Sequence, residues 1–209
     1  RGNKPMNADH NRTEILALRH GQSIWNEAGR WQGHADPPLS EFGERQAVIA
    51  AQYIGQVDVI ITSPLERAHR TGSIIGEIIG VGPVEVIDDL KERSVGLWEG
   101  LTRHEIEADW PGWIEDDRRP EGWEYDVDLQ RRVLKAFTEV GERYTGATVL
   151  VVAHGGVLIA MEKHLDVNEA RIPNLHGRIF RWAGGLFEAG DELNLLPDDM
   201  RTGGHSKRL

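Results

Sequence analysis

Short apolar runs alternate with stretches of helical periodicity along this chain. Glu14–Leu18 (EILAL) ends at a polar cluster and reads as a buried strand. Asp58–Ile61 and Val84–Ile87 read the same way, and Thr148–Ala153 (TVLVVA) is the clearest strand of all. Between the first two lies a turn-rich loop from Arg19 to Ser40, with Gly21, Gly29, Gly33 and Pro37-Pro38. Ser40 is an N-cap for a helix that places Ala47, Val48, Ala51 and Ile54 on one face. Pro64 suits the first turn of the next helix, which runs to about Ile79 with Ala68, Ile74, Ile75 and Ile78. Val127–Tyr144 spaces Leu129, Val133, Phe137 and Val140 for one face, and Gly155–Leu165 is a further helix. Ile179–Trp182, Leu186–Glu188 and Glu192–Leu196 predict a closing meander. Strands alternating with helices predict the α/β class: a mainly parallel, doubly wound sheet with helices on both faces. The expected organisation is one domain over residues 14–196, with flexible polar tails at 1–13 and 197–209.

The rhythm breaks after the third strand. Residues 85–128 hold 15 acids and five bases, a difference equal to the whole net charge of −10. The same stretch carries Trp98, Trp110, Trp113 and Trp123, four of the seven tryptophans. Turns at Pro111-Gly112 and Pro120–Gly122 and a short helix near Thr102–Ala108 are expected there. This predicts a small cap subdomain, about 93–128, inserted after the third strand. Its tryptophans either offer stacking surface beside a pocket or pack a core of their own.

Evenly spread, a charge of −10 would repel nucleic acid and anionic membrane, so neither is an expected partner. No apolar run is long enough for a membrane span, and Arg1–Thr13 lacks a signal-peptide core. The chain has no cysteine, which removes disulfides, thiolate nucleophiles and Cys-based metal sites. That absence fits a reducing cytosol, and a cytoplasmic location is the expectation.

In open α/β sheets, ligands bind beyond the carboxyl ends of the strands. Arg19-His20-Gly21 follows the first strand. Thr62-Ser63-Pro64 follows the second, with Arg67 and Arg70 on the next helix. Asp88, Asp89 and Glu92 follow the third, and His154-Gly155-Gly156 the fourth. Two histidines, two or three arginines and a carboxylate therefore converge on one edge, which suits phosphoryl transfer. Arginine forks bind phosphate oxygens, a neutral imidazole can attack phosphorus, and a carboxylic acid can protonate the leaving alkoxide. A metal site built from His20, His154, Glu92 and Asp88 is the chemical rival, disfavoured because the adjacent arginines repel a cation. No nucleotide-binding glycine motif competes.

These residues resemble a known family. Leu18-Arg19-His20-Gly21-Gln22-Ser23-Ile24-Trp25-Asn26 is similar to the opening motif of the histidine phosphatase superfamily, phosphoglycerate mutase-like branch. Trp31–Ser40, Thr62–Ala68, Leu90-Lys91-Glu92 with Gly96 and Trp98-Glu99-Gly100, and Val152–Gly156 continue the resemblance in order. It implies His20 as the phosphorylated nucleophile. It implies Arg19, Arg67 and His154 as holders of the phosphoryl oxygens, helped by Asn26. Glu92 would be the proton donor and then the base for water. Gly21, Gln32, Gly33 and Gly155 would line the substrate pocket, while Ser63 reads as a helix cap and Arg70 as a partner for surface acids. No metal or organic cofactor is implied; by analogy a homodimer is compatible, and the partner is a small phosphorylated metabolite.

Within the resemblance, a phosphatase is favoured over a cofactor-dependent phosphoglycerate mutase, because only Leu101–Asp128 stands where mutases carry a longer insertion. The Glu92-Arg93 pair points the other way unless Arg93 is taken by a neighbouring acid. A non-catalytic phosphate-binding module is a third reading, opposed by the presence of His20, Glu92 and His154 together. Pro120-Glu121-Gly122-Trp123-Glu124-Tyr125-Asp126 departs from the Pro-x-Gly-Glu-Ser-like stretch of many family phosphatases, so specificity is expected to differ in that loop. An acidic cap is expected to disfavour bisphosphates and to prefer monophosphates with neutral, partly apolar leaving groups.

Overall fold

Alternation along the strands decides which side of the sheet each helix covers. In the computed structural model, which describes residues 11–167 and 171–201, the strands are β1 (Thr13–Arg19), β2 (Val59–Thr62), β3 (Glu85–Val86), β4 (Thr148–Ala153), β5 (His176–Ala183) and β6 (Leu186–Asn194). The helices are α1 (Ile24–Glu27), α2 (Glu41–Ala50), α3 (Glu66–Ile79), α4 (Arg103–Asp109), α5 (Asp126–Arg143) and α6 (Gly155–His164). One sheet runs in the order β3-β2-β4-β1-β5-β6. β1 to β4 are mutually parallel, β5 is antiparallel to β1, and β6 is antiparallel to β5.

Ile15, Ala17, Ile61, Val149, Val151 and Ala153 face one side and pack with Leu129, Val133, Phe137, Val157 and Met161 of α5 and α6. Leu16, Leu18, Ile60, Leu150 and Val152 face the other and pack with Ala50, Ala68 and Ile75 of α2 and α3. Consecutive strand residues point to opposite faces, so one run such as ILALR feeds two cores at once.

Local signals set most boundaries. Ser40 caps α2 by accepting from the Gly43 N–H at 3.1 Å. Thr102 and Glu105 form a reciprocal capping box that starts α4, as Ser23 and Asn26 do for α1. Val48 is 43% exposed, against the expected inward face. The buried row of α2 is Gly43, Gln46, Ala47 and Ala50, and Val48 sits about 100° round the helix from Ala47. The closing meander is a two-stranded hairpin instead: β6 is continuous where two short strands were predicted.

The predicted tails differ where they can be described; 1–10 and 202–209 lie outside the described residues. Thr13 belongs to β1, is buried, and donates to the Gly141 carbonyl at 2.7 Å. At the other end Asp198–Met200 forms a 3-10 turn, and Gln46 Nε2 donates to the Met200 carbonyl at 2.9 Å.

The acidic segment builds a small apolar cluster of its own. Val95, Trp98 and Ile106 are buried in it, with Trp31, Leu101, Trp110, Trp113, Ile114 and Trp123 around them. Trp31, Trp98 and Trp123 meet edge-on or tilted, with centroids 5.4 to 6.1 Å apart. Trp98 is fully buried, so at least this ring is core rather than ligand surface. Among the described residues, no helix is long and apolar enough to cross a membrane.

Candidate active site

β1 and β4 are adjacent and parallel, yet β1 leads toward α2 on one face and β4 leads directly into α6 on the other. Such a switch point opens a crevice at the carboxyl edge of a sheet. His20 and His154 are the first residues beyond these two strands, and the structure brings their rings to a centroid distance of 5.2 Å. His20 is 2% exposed and His154 fully buried.

The His20 tautomer follows from its neighbour. Nδ1 lies 2.6 Å from the Gly21 carbonyl oxygen. That oxygen can only accept, so Nδ1 carries the proton and Nε2 keeps its lone pair. Burial is the main cause that pushes His20 well below its ordinary range, followed by the charges of Arg67 and Arg19. His154 is pushed down first by burial, then by Arg67, His20, Arg19 and Arg132. Both rings are thus held neutral at pH 7.

Two arginines flank the histidines. Arg67 is fully buried on the first turn of α3; its Nη1 donates to Ala35 O at 2.8 Å and its Nη2 to Gly33 O at 3.0 Å. Its Nε is buried without a partner. Gly33 therefore holds Arg67 through its carbonyl, and Asp36 in the same loop accepts from the Glu66 N–H at 2.7 Å. Arg19 Nη1 donates to Ile172 O at 2.8 Å. Burial, then Arg171 and Arg67 against the opposing pull of Glu92, bring Arg19 down to about 10.

Glu92 reaches the crevice from the segment after β3. Its carboxylate accepts from Gly156 N–H at 3.1 and 3.2 Å and from Arg93 N–H at 2.8 Å. A Cβ on Gly156 would overlap Glu92 Oε1, so the close approach requires glycine here. Gly21 is equally constrained: a Cβ would lie 2.7 Å from the Gly43 carbonyl oxygen.

The remaining predicted pocket residues have structural work. Asn26 Oδ1 accepts from Ser23 N–H at 3.2 Å and faces Asn174 Nδ2 at 3.3 Å. Gln32 Oε1 accepts from Ser23 Oγ at 2.6 Å. Gly155 opens α6 and stands 3.9 Å, measured from a built Cβ, from the Arg19 side chain. Arg70 pairs with Glu44 at 3.0 Å, as expected. Arg93 pairs with Asp126 at 2.7 Å and lies over the Trp123 ring at 5.6 Å. Among the described residues, no group of three or more His, Asp or Glu could hold a metal ion.

Sequence reading missed several contributors. Ser63 is not the cap of α3, which is Leu65; its Oγ sits 2.8 Å from His154 Nε2. Its position directly after β2 was the available signal. Asn174 Nδ2 donates to the His20 carbonyl at 2.8 Å, and Thr71 Oγ1 accepts from the Gly21 N–H at 3.1 Å. Asn174 precedes β5, whose antiparallel direction starts it at the same edge where β1 ends. Arg132, in mid-helix, had no such signal.

The sequence pattern of the histidine phosphatase superfamily (branch 1) matches residues 15–179. The chain is 38% identical over 166 residues to the glucosyl-3-phosphoglycerate phosphatase of Mycobacterium tuberculosis (strain ATCC 25618 / H37Rv), covering 72% of this chain and 74% of that protein. It is 35% identical over 168 residues to a metal-independent phosphoserine phosphatase of Arabidopsis thaliana, covering 76% of this chain and 70% of that protein. The native structure of mycobacterial glucosyl-3-phosphoglycerate phosphatase matches with a TM-score of 0.72 and 31% identity, covering 85% of this chain and 97% of that one. The chain belongs to the histidine phosphatase superfamily, branch 1, and is a phosphoric monoester hydrolase.

Proposed function

We propose that the enzyme hydrolyses small phosphate monoesters through a phosphohistidine on His20, without a metal, with Glu92 moving the proton. The observation that carries this reading is the fixed tautomer of His20, which leaves Nε2 unprotonated beside two arginines and a second neutral histidine. In the first step Nε2 attacks phosphorus and the ester P–O bond breaks. Protonated Glu92 gives its proton to the departing oxygen, which leaves as an alcohol. Arg19, Arg67 and His154 stabilise the charge spread over the equatorial oxygens. In the second step water attacks the phosphohistidine, Glu92 carboxylate accepts its proton, and the P–N bond breaks to give inorganic phosphate and neutral His20.

Arg93 supports hydrolysis over mutase chemistry: its guanidinium is already paired with Asp126 and with the Glu124 carbonyl. The substrates named for the relatives, glucosyl-3-phosphoglycerate and phosphoserine, define the size class to screen. The test is turnover of p-nitrophenyl phosphate in EDTA together with acid-labile phosphate labelling. His20→Ala should abolish both; labelling retained in that variant, or activity lost to EDTA, would refute the reading.

A further inference from the structure

Glu92 sits on irregular backbone, and irregular backbone does not hold a carboxylate to a fraction of an ångström by itself. The Glu92 carboxylate is met by the N–H groups of Gly156 and Arg93, and the main chain that carries it is held by Arg132 of α5 and by Glu124 just before that helix. The Arg132 guanidinium donates to Asp89 O at 2.8 Å, Lys91 O at 2.6 Å and Glu92 O at 3.0 Å. Its other edge forms a bidentate pair with Glu124, Nε to Oε1 and Nη2 to Oε2, both at 2.7 Å. Glu124 Oε2 also accepts from the Ser94 N–H at 3.3 Å. The two side chains thus grip the main chain on both sides of Glu92. They are only 18% and 16% exposed. Burial pushes the Glu124 carboxyl up, but hydrogen bonds and charge from Arg132 outweigh it and hold Glu124 below its ordinary range. The Glu92 carbonyl is further met by His34 Nε2 at 2.8 Å from the first loop.

We propose that the Arg132–Glu124 pair is a positioning clamp that holds Glu92 in register for proton transfer to the leaving group. The proposal rests on the reading of Glu92 as proton donor. A planar guanidinium offers five N–H donors in a fixed fork, and the acceptors here are the carbonyls of Asp89, Lys91 and Glu92 and one carboxylate. A lysine cannot reproduce that geometry. The clamp makes no hydrogen bond to His20 or to the phosphate holders, and only its charge reaches His154. Its removal should therefore weaken protonation more than phosphoryl binding, and Arg132→Lys, which keeps the charge, separates the two.

The experiment compares kcat/KM for p-nitrophenyl phosphate and for an alkyl phosphate such as glycerol 2-phosphate. It does so in the wild type, Glu92→Gln, Arg132→Met, Arg132→Lys, Glu124→Gln and the Glu92→Gln/Arg132→Met double variant. Nitrophenolate leaves without a proton; an alkoxide does not. A general acid contributes about 10²–10⁴-fold, so Arg132→Met should cost the alkyl ester about ten- to a hundredfold and the aryl ester several-fold less. Arg132→Lys and Glu124→Gln should show the same preference more weakly, which keeps the test open if Arg132→Met does not fold. In the double variant the Arg132 change should add little to Glu92→Gln. Equal losses on both esters, or full multiplication in the double variant, would reduce Arg132 to a structural role and overturn the clamp. If Glu92→Gln itself shows no leaving-group preference, the donor reading falls first, an outcome separate from failure of the clamp.

Discussion

Two neutral, buried imidazoles make the stability of the enzyme depend on pH in a way that can be worked out beforehand. His20 and His154 are both depressed by burial and by surrounding cations: Arg67 and Arg19 at both rings, Arg132 also at His154. In the unfolded chain each titrates near 6.5. Below that pH the unfolded state binds more protons than the native state, so stability is present in full above about 6.5 and is lost as pH falls. For a ring that stays neutral throughout, the loss between pH 7.5 and 5.5 is about 1 kcal/mol, and for two such rings about 3 kcal/mol. For a chain of 209 residues this lowers Tm by roughly 5–10 °C.

Glu162 works in the opposite sense. Its carboxyl is raised by burial, against the pull of Arg178, so it favours the native state as pH falls. That contribution is common to wild type and variants and cancels in their difference. The assay is thermal unfolding in phosphate-free buffers at pH 7.5, 6.5 and 5.5, for wild type, His20→Asn, His154→Asn and the double variant. Each substitution should remove about half of the difference in acid sensitivity. A double variant that loses as much stability on acidification as the wild type would refute the assignment of the two rings as buried and neutral.

Gly156→Ala places a methyl group in overlap with Glu92 Oε1 and so pushes the carboxylate aside, while the α6 backbone accepts alanine. Alkyl-phosphate kcat/KM should fall about tenfold or more with Tm nearly unchanged, and wild-type activity would contradict the placement of Glu92. Raising NaCl from about 20 to 300 mM shortens the screening length severalfold and should lower kcat/KM for a carboxylated ester such as phosphoserine. A rise with salt would mean that the acidic segment, rather than the arginines, sets the field at the crevice.

The parts of the fold legible in the sequence were those decided locally. TVLVVA is a strand because it is buried on both faces, and its bounds agree with those read from the sequence, Thr148–Ala153. Leu129, Val133, Phe137 and Val140 are all buried on α5, as their spacing required. β6 was misread because Ala189-Gly190-Asp191 looks like a turn. An edge strand with a register shift against Arg178 and Phe180 tolerates glycine and polar residues that a central strand would not. The site divides the same way. His20, Ser63 and His154 follow parallel strands, so their shared edge could be inferred from order alone. Asn174 arrives by an antiparallel strand and Arg132 from the middle of a helix, and neither position has meaning until the chain is folded.

The concentration of charge in residues 85–128 has a different significance once its partners are known. Glu105 pairs with Arg30, Glu115 with Arg103, Asp117 with Arg119, Glu124 with Arg132, and Asp126 with Arg93 and Lys163. Arg30, Arg132 and Lys163 lie outside the segment, as do Lys135 and Arg143, which pair with Asp89 and Glu85, so five cations from beyond its boundary meet about half of its formal excess. Glu92 and Glu99 are spent on backbone instead: Glu92 on the N–H groups of Gly156 and Arg93, Glu99 on the N–H of His34 at 2.7 Å. An acid that is paired or hydrogen-bonded in place contributes a local dipole more than a long-range repulsion, and beyond about 10 Å salt screens the remainder. The crevice itself is lined by Arg19 and Arg67, with Arg171 close enough to depress Arg19. A filter against anionic substrates would therefore act at short range, on the part of the substrate that lies against the segment. On the proposed mechanism, the acidic segment acts on the leaving group through Glu92 and through the residues that keep that carboxylate in place, while Glu92 and Glu99 both act on the charge of Arg67.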